Sequence, residues 1–285
     1  MQDFQKILKE AEKNTQISSD AIEKIINLLI EAGKIALQYF NSPNLKVQIK
    51  EDQSPVSNGD ISVSEFMLKH LPSIIPPIPI ISEEAEKALS GNTFWLLDPI
   101  DNTYNYIRGN TNYTINLGLI HNYHPVLGFI YYPSLKEIYY NNFQSECKLI
   151  KLEEVNSLAS MVTIPVYPIS SDHNNDGKIK VLVDDTPKNL DKVNSNSIFQ
   201  IITQTSLRDK ISAFFNGEVD LYYRYKPTME WDLASPHAML SSIGGGIMDM
   251  FGNELVYGKP TFLNGDVIIY NAHAKKYMKE ILSNT

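Results

Sequence analysis

The chain has 285 residues, 43% of them hydrophobic and 20% charged, the balance of an ordinary globular protein with apolar surface for one large or two moderate domains. Its net charge of −8 argues against a broad nucleic-acid-binding face. A single cysteine, Cys147, excludes an intrachain disulfide or a cysteine-built zinc site. The opening residues lack a signal-peptide pattern and no apolar run nears the length of a membrane span, so the expected residence is the cytoplasm.

Residues 19–40 read as an amphipathic helix capped by Ser19 or Asp20, with Ile22, Ile25, Ile26, Leu29, Ala32 and Ala36 at helical spacing. A turn-rich segment, 50–60, leads to Asp60, read as the cap of a short helix through Leu71. The prolines at 72, 76, 77 and 79 end that helix. Two short apolar strands follow, 78–81 and 94–97, and each stops at acids: Glu83-Glu84 and Asp98. Strand-like runs at 113–120, 126–132 and 136–140 read as an antiparallel meander. His121 and His124 have metal-like spacing but no nearby third ligand.

The texture changes near residue 150, giving an expected N-terminal α+β domain over 1–150 and a smaller α/β domain over 151–285. Residues 151–176 look irregular. Strands are then expected at 180–183, 197–203 and 219–223, helices at 207–215 and 232–243, further strands near Ile247 and Val267, and a terminal helix to Leu282. Gly244-Gly245-Gly246 has no Lys-Ser or Lys-Thr after it and reads as a helix end entering a strand.

The segment with the clearest chemistry is Trp95-Leu-Leu-Asp98-Pro-Ile-Asp101-Asn-Thr103. A carboxylate at the end of a buried strand is costly unless it is paired or bound to metal. Pro99 lacks an N–H and stops the ladder, so the turn can aim Asp98, the Ile100 carbonyl and Asp101 at one point. Such oxygen donors suit magnesium. Lysine outnumbers arginine 22 to three, and the rigid guanidinium fork suits phosphate, which draws attention to Arg108, Arg208 and Arg224. Alone, the DPxD string equally fits a turn with a helix cap.

Glu83-Glu84, Asp98-Pro-Ile-Asp101-x-Thr103 and Trp231-Asp232-Leu-Ala-Ser together resemble, in order and spacing, the signatures of the inositol monophosphatase-like family. Ser54-Pro-Val-Ser57 with Asp60, Thr205-Ser206-Leu207-Arg208, Tyr223-Arg224, Pro227-Thr228 and Phe262-Leu-Asn264 resemble in particular its CysQ-type 3′(2′),5′-bisphosphate nucleotidase branch. The resemblance implies a layered α-β-α-β-α sandwich of the inositol monophosphatase/fructose bisphosphatase type. It implies two or three Mg2+ ions held by Glu83, Asp98, the Ile100 carbonyl, Asp101 and Asp232. Asp60 and Thr103, with Glu83, look like the catalytic groups that orient or deprotonate an attacking water. Asn102, Thr103, Thr205, Ser206, Arg208, Arg224 and Asp232 look like substrate contacts.

The implied reaction is hydrolysis of the 3′-phosphate of adenosine 3′,5′-bisphosphate to AMP by a monomer or homodimer, with a small phosphorylated metabolite as the only partner. Three departures weaken the choice of substrate. The family's Asp-Gly-Thr is Asp101-Asn102-Thr103, a common lysine–glutamate pair is Tyr104-Asn105, and a Ser-Arg-Ser-His element survives as Ser170-Ser-Asp-His173. An inositol monophosphatase or related sugar phosphatase, or a non-catalytic phosphometabolite-binding protein, therefore stay open.

Overall fold

A computed structural model describes residues 2–152, 161–166, 178–183, 197–202 and 209–283. The chain opens with helix α1 (Gln2–Thr15), which the mixed composition of the first residues concealed; Leu8 and Ala11, one turn apart, are its buried stripe. Helix α2 (Ser19–Tyr39) follows the expected periodicity. Its cap is Ser18, whose hydroxyl accepts from the Ala21 N–H, one or two residues before the expected position. Strands β1 (Val47–Ile49) and β2 (Pro55–Ser57) pair as a hairpin and run into helix α3 (Asn58–His70).

A seven-stranded sheet comes next, formed in spatial order by β3 (Ile80–Ser82), β4 (Thr93–Asp101), β5 (Thr114–His121), β6 (His124–Tyr132), β7 (Glu137–Asn141), β8 (Cys147–Leu152) and β9 (Met161–Val166). All neighbours are antiparallel except β3 and β4. The meander is thus present and longer than expected, since β8 and β9 carry the sheet past residue 150 into the stretch that looked irregular. The short helix α4 (Thr103–Ile107) lies between β4 and β5.

The second sheet has the order β11-β10-β12-β16-β14, from β10 (Ile179–Val183), β11 (Phe199–Ile202), β12 (Leu221–Arg224), β14 (Gly246–Asp249) and β16 (Val267–Tyr270). Helices α5 (Lys210–Phe215) and α6 (Glu230–Ser242) belong to this half, as do the small pair β13 (Thr228–Met229) and β15 (Leu263–Asn264) and the last helix α7 (Met278–Leu282). The three glycines at 244–246 do carry the end of α6 into β14, with Gly244 at φ +89°.

Strand alternation sorts the side chains into layers. Trp95 and Leu97 of β4 share a core with α1, α2 and α3, whereas Phe94 and Leu96 face α5 and α6. In the second sheet Leu182, Tyr222 and Ile269 meet that same middle layer, while Val181, Leu221 and Ile268 face outward with Ile281 of α7. The result is the expected α-β-α-β-α sandwich. Helix α6 lies unusually close to the large sheet. Gly118 and Gly128 are register partners on β5 and β6, and a Cβ at Gly118 would fall 2.6 Å from that of Ala234. One at Gly128 would collide with the Ser235 carbonyl. Among the described residues no helix is long and apolar enough to cross a membrane.

Candidate metal centre and active site

The geometry begins in the pairing of β4 with β5. Asp98 pairs with Asn116 and Asp101 with Thr114, so three residues of β4 span two of β5. The extra residue is a bulge at Pro99, which has no N–H to give the ladder. The strand therefore does not stop at Asp98, as its sequence suggested, but continues to Asp101. The bulge also corrects parity: residues three apart normally point to opposite faces, and here both aspartates reach the face occupied by α6.

Asp232, in the first turn of α6, meets them there. One carboxylate oxygen from each of Asp98, Asp101 and Asp232 lies within 4.8 Å of the others. The protein fixes the rims of this cluster and leaves its centre unanswered. Asn116 Nδ2 donates to Asp101 Oδ2 at 3.2 Å, and the Met229 N–H donates to Asp232 Oδ2 at 2.9 Å. Asp98 is 2% exposed, and its Oδ1 has no hydrogen-bond partner among the described residues. Burial, then repulsion from Glu83, Asp101 and Asp232, pushes Asp98 well above the usual carboxylate range. Asp232 is pushed up to about 8 by burial and by Asp101. Asp101 reaches only about 6: burial raises it, and the Arg224 guanidinium pulls it back.

Beyond Asp101 the backbone turns through Asn102, at φ 67° and ψ 50°, the left-handed conformation that asparagine tolerates better than most side chains. This turn starts α4 and brings Thr103 Oγ1 within 3.1 Å of the Ile100 carbonyl and 3.0 Å of Asp60 Oδ1. Asp60 is not the cap of α3. Ser57 is, and Asp60 reciprocates from the third helical position, accepting from the Ser57 N–H at 2.9 Å and its hydroxyl at 2.5 Å. Burial raises Asp60 above its ordinary value, although the Ser57 and Thr103 hydrogen bonds oppose this.

Glu83 enters from the parallel neighbour. Its N–H donates to the Leu97 carbonyl at 3.0 Å, placing it beside Asp98 in the sheet. Its side chain stands outside the three-aspartate cluster. Glu83 Oε1 pairs with the Lys50 ammonium at 2.7 Å, and Glu84 Oε1 pairs with the same ammonium at 2.5 Å. Burial works against the Lys50 charge, and the two glutamates more than reverse it, raising its pKa.

On the far side of the aspartates is a cavity of about 500 Å3, bordered by Asp101, Asn102, Asn116, Arg224 and Asp232. Arg224 ends β12, and its Nε is buried without a partner among the described residues. Thr205, Ser206, Arg208, Ser170 and His173 lie outside the described residues. Arg108 is at the surface over the Tyr104 ring, and Trp231 is core, packed on Phe262 at 5.9 Å. His121 and His124 pair across the end of a hairpin and have separate partners, Thr93 for the first and Glu254 for the second. Lys50 and Asn116 join the site without a motif; each meets its carboxylate only through the fold, from 33 and 15 residues away.

A five-layer sandwich that gathers hard oxygen donors beside an arginine-lined cavity is the architecture of a metal-dependent phosphatase. The model of the inositol monophosphatase family matches residues 18–284, and the chain belongs to that family. It is similar to the 3′(2′),5′-bisphosphate nucleotidase CysQ of Salmonella typhimurium, 29% identical over 253 residues that cover 85% of this chain and 96% of that one. Among solved structures it resembles CysQ from Bacteroides thetaiotaomicron, with a TM-score of 0.67, 24% identity and coverage of 92% and 98%. The 2′AMP-bound structure of SaIMPase-II has a TM-score of 0.62 at 18% identity, covering 91% and 94%.

Proposed function

We propose that the chain is a magnesium-dependent phosphomonoesterase that removes the 3′-phosphate of adenosine 3′,5′-bisphosphate, giving AMP and phosphate. The observation that carries the reading is the buried, unpartnered oxygen of Asp98 within a group of three aspartates that borders the Arg224 cavity. The donor set fits magnesium, since every candidate is a hard oxygen and a buried carboxylate without a partner calls for a cation. Asp98, Asp101 and Asp232 would hold an ion between them, and Glu83 and the Ile100 carbonyl would complete the donor set for two or three ions. When bound, magnesium offsets charge on the phosphoryl oxygens and acidifies water.

The chain's own residues do the rest. Ser57 fixes Asp60 by one oxygen and leaves the other to Thr103. Thr103 Oγ1 can accept a proton from the attacking water while passing its own to Asp60 Oδ1, so the proton ends on a carboxylate whose burial favours the neutral form. Arg224 supplies a planar donor fork to the phosphate, and its charge also restrains Asp101 from protonation.

A nucleotide substrate is supported by the CysQ relatives, which match most of the chain at 27–29% identity. The second reading, an inositol monophosphatase, draws on Asn105, whose amide donates to the Asn112 carbonyl at 2.9 Å where the nucleotidases commonly carry glutamate. A phosphate-release assay over adenosine 3′,5′-bisphosphate, 2′-AMP and inositol 1-phosphate, with magnesium or chelator, separates them. The bisphosphate is expected to have the highest kcat/KM, and Arg224→Lys to raise its KM more than that of a small monophosphate. Preference for inositol phosphate would favour the second reading.

A further inference from the structure

The cavity that Arg224 borders has a carboxylate on its wall outside the three-aspartate cluster. Asp209 caps helix α5, where its Oδ1 accepts from the Ile211 N–H at 2.8 Å and the Ser212 N–H at 3.1 Å. Its Oδ2 accepts from the Ser212 hydroxyl and from the Tyr132 hydroxyl, the latter at 3.0 Å. Three of these four donors belong to α5 and come with the cap. The phenol is brought from another element, strand β6 of the large sheet. Tyr132 is 2% exposed, its ring meets Tyr139 edge-on at 6.0 Å, and Tyr139 stacks on Phe215 of α5 at 5.2 Å. Aromatic packing thus fixes the hydroxyl on the carboxylate, and both side chains line the cavity.

A carboxylate is a poor wall for a space that takes phosphate, since two negative charges in a partly enclosed cavity repel strongly. As a cap it is well suited, because the first N–H groups of a helix need an acceptor. The phenol reconciles the two demands. We propose that Tyr132 determines specificity by masking Asp209, so that the cavity can take a second, non-reacting phosphate of the substrate. The inference rests on the reading of the Arg224 cavity as the seat of that phosphate. Arg224 attracts it, and Tyr132 removes a repulsion that would cancel the attraction. A substrate with a single phosphate, held at the aspartates, gains little from either residue.

Steady-state kinetics of the full chain with magnesium test this on two substrates: adenosine 3′,5′-bisphosphate, and adenosine 3′-monophosphate, which lacks only the second phosphate. Tyr132→Phe keeps the packed ring and removes the donor. It should raise KM for the bisphosphate roughly fivefold more than KM for the monophosphate. Asparagine caps helices as well as aspartate does, so adding Asp209→Asn removes the charge and keeps the cap. The double variant should therefore recover most of the bisphosphate loss. Added salt should shrink that loss in Tyr132→Phe, which a packing defect would not do. Equal KM rises for the two substrates, or no recovery in the double variant, overturn the masking and leave Tyr132 a packing residue. A wild type with no preference for the bisphosphate is a different result: it fails the reading of the cavity, and the proposal with it.

Discussion

Glu230 and Asp98 are both buried carboxylates, at 0% and 2% exposure, but the chain surrounds them in opposite ways. Glu230, at the start of α6, accepts from the Gly258 N–H at 2.7 Å, the Lys259 N–H at 3.0 Å and the Lys259 ammonium at 3.1 Å. Lys259 in turn donates to Asn264 at 2.9 Å. Asp98 has an oxygen with no partner and two further aspartates beside it. Asp232, two residues along α6 from Glu230, sides with Asp98. Burial alone therefore does not mark an acid as functional. The mark is burial without an internal answer to the charge.

The strongest way to break this comparison is Asp98→Asn. On the proposed reading turnover should fall by roughly a thousandfold or more, because charge stabilisation and water acidification are lost together. In chelator at neutral pH the variant should unfold at a higher temperature than wild type, since wild-type Asp98 must take up a proton or bury a charge on folding and asparagine does neither. A variant with near-normal phosphate release would place the catalytic site elsewhere. Glu230→Gln is the converse. It leaves the Lys259 ammonium only neutral acceptors, at Asn264 and Val256, and should destabilise by roughly 1.5–3 kcal/mol in urea unfolding, with kcat per folded molecule near wild type. If kcat collapses instead, Glu230 is not simply structural.

Proton linkage sharpens the contrast. Asp101 and Asp232 have raised values in the fold, about 6 and about 8, so the folded protein without metal binds protons that the unfolded chain does not. Its stability should rise as pH falls from about 8, and magnesium, which competes with those protons, should flatten that dependence. Near Glu230 the sign reverses. His237 is fully buried with Nδ1 3.0 Å from the Tyr257 hydroxyl, and burial holds its pKa down at about 4. The unfolded chain takes up that proton first, so stability is lost as pH falls from about 6.5 toward 4, by roughly 3 kcal/mol in all. Unfolding temperatures across pH 4–8, with chelator or magnesium, resolve the two limbs. An alkaline limb indifferent to magnesium would separate the aspartates from metal binding.

The smallest effects belong to Asn102. Asn102→Gly should leave the magnesium dependence of activity nearly unchanged, and Asn102→Val should cost about 1–2 kcal/mol for a β-branched residue held left-handed and weaken magnesium binding. A valine variant that titrates like wild type would mean that the turn does not set the positions of Asp98 and Asp101.

The turn at Asn102 was legible in the sequence because asparagine, which tolerates the left-handed region, stands where the family pattern has glycine, between Asp101 and a helix start; residue chemistry and local backbone coincide there. The layered sheets were legible for the same reason, in alternating apolar runs. What escaped depends on distant partners. Lys50 meets Glu83 from 33 residues away, Asn116 meets Asp101 from 15, and Glu230 meets Gly258 from 28. The bulge escaped because one extra residue is defined only against the partner strand. Asp60 looked like a cap because the members of a capping box are both helix-start residues, and only geometry tells which one accepts from the helix.

On the proposed reading, the glycine pair beneath α6 extends the metal centre's requirements well beyond its carboxylates. Asp98 and Asp101 belong to the sheet, Asp232 to the helix, and the separation between those two bodies is set where Gly118 and Gly128 let the backbone of Ala234 and Ser235 settle. The two missing side chains work as a spacing gauge. A methyl group at either position would lift the helix and draw one aspartate away from the other two, without altering any charge. Selection on cation affinity would then fall on apolar surface a turn away from the nearest ligand, and two residues with no functional group of their own would be as intolerant of change as the acids they keep together.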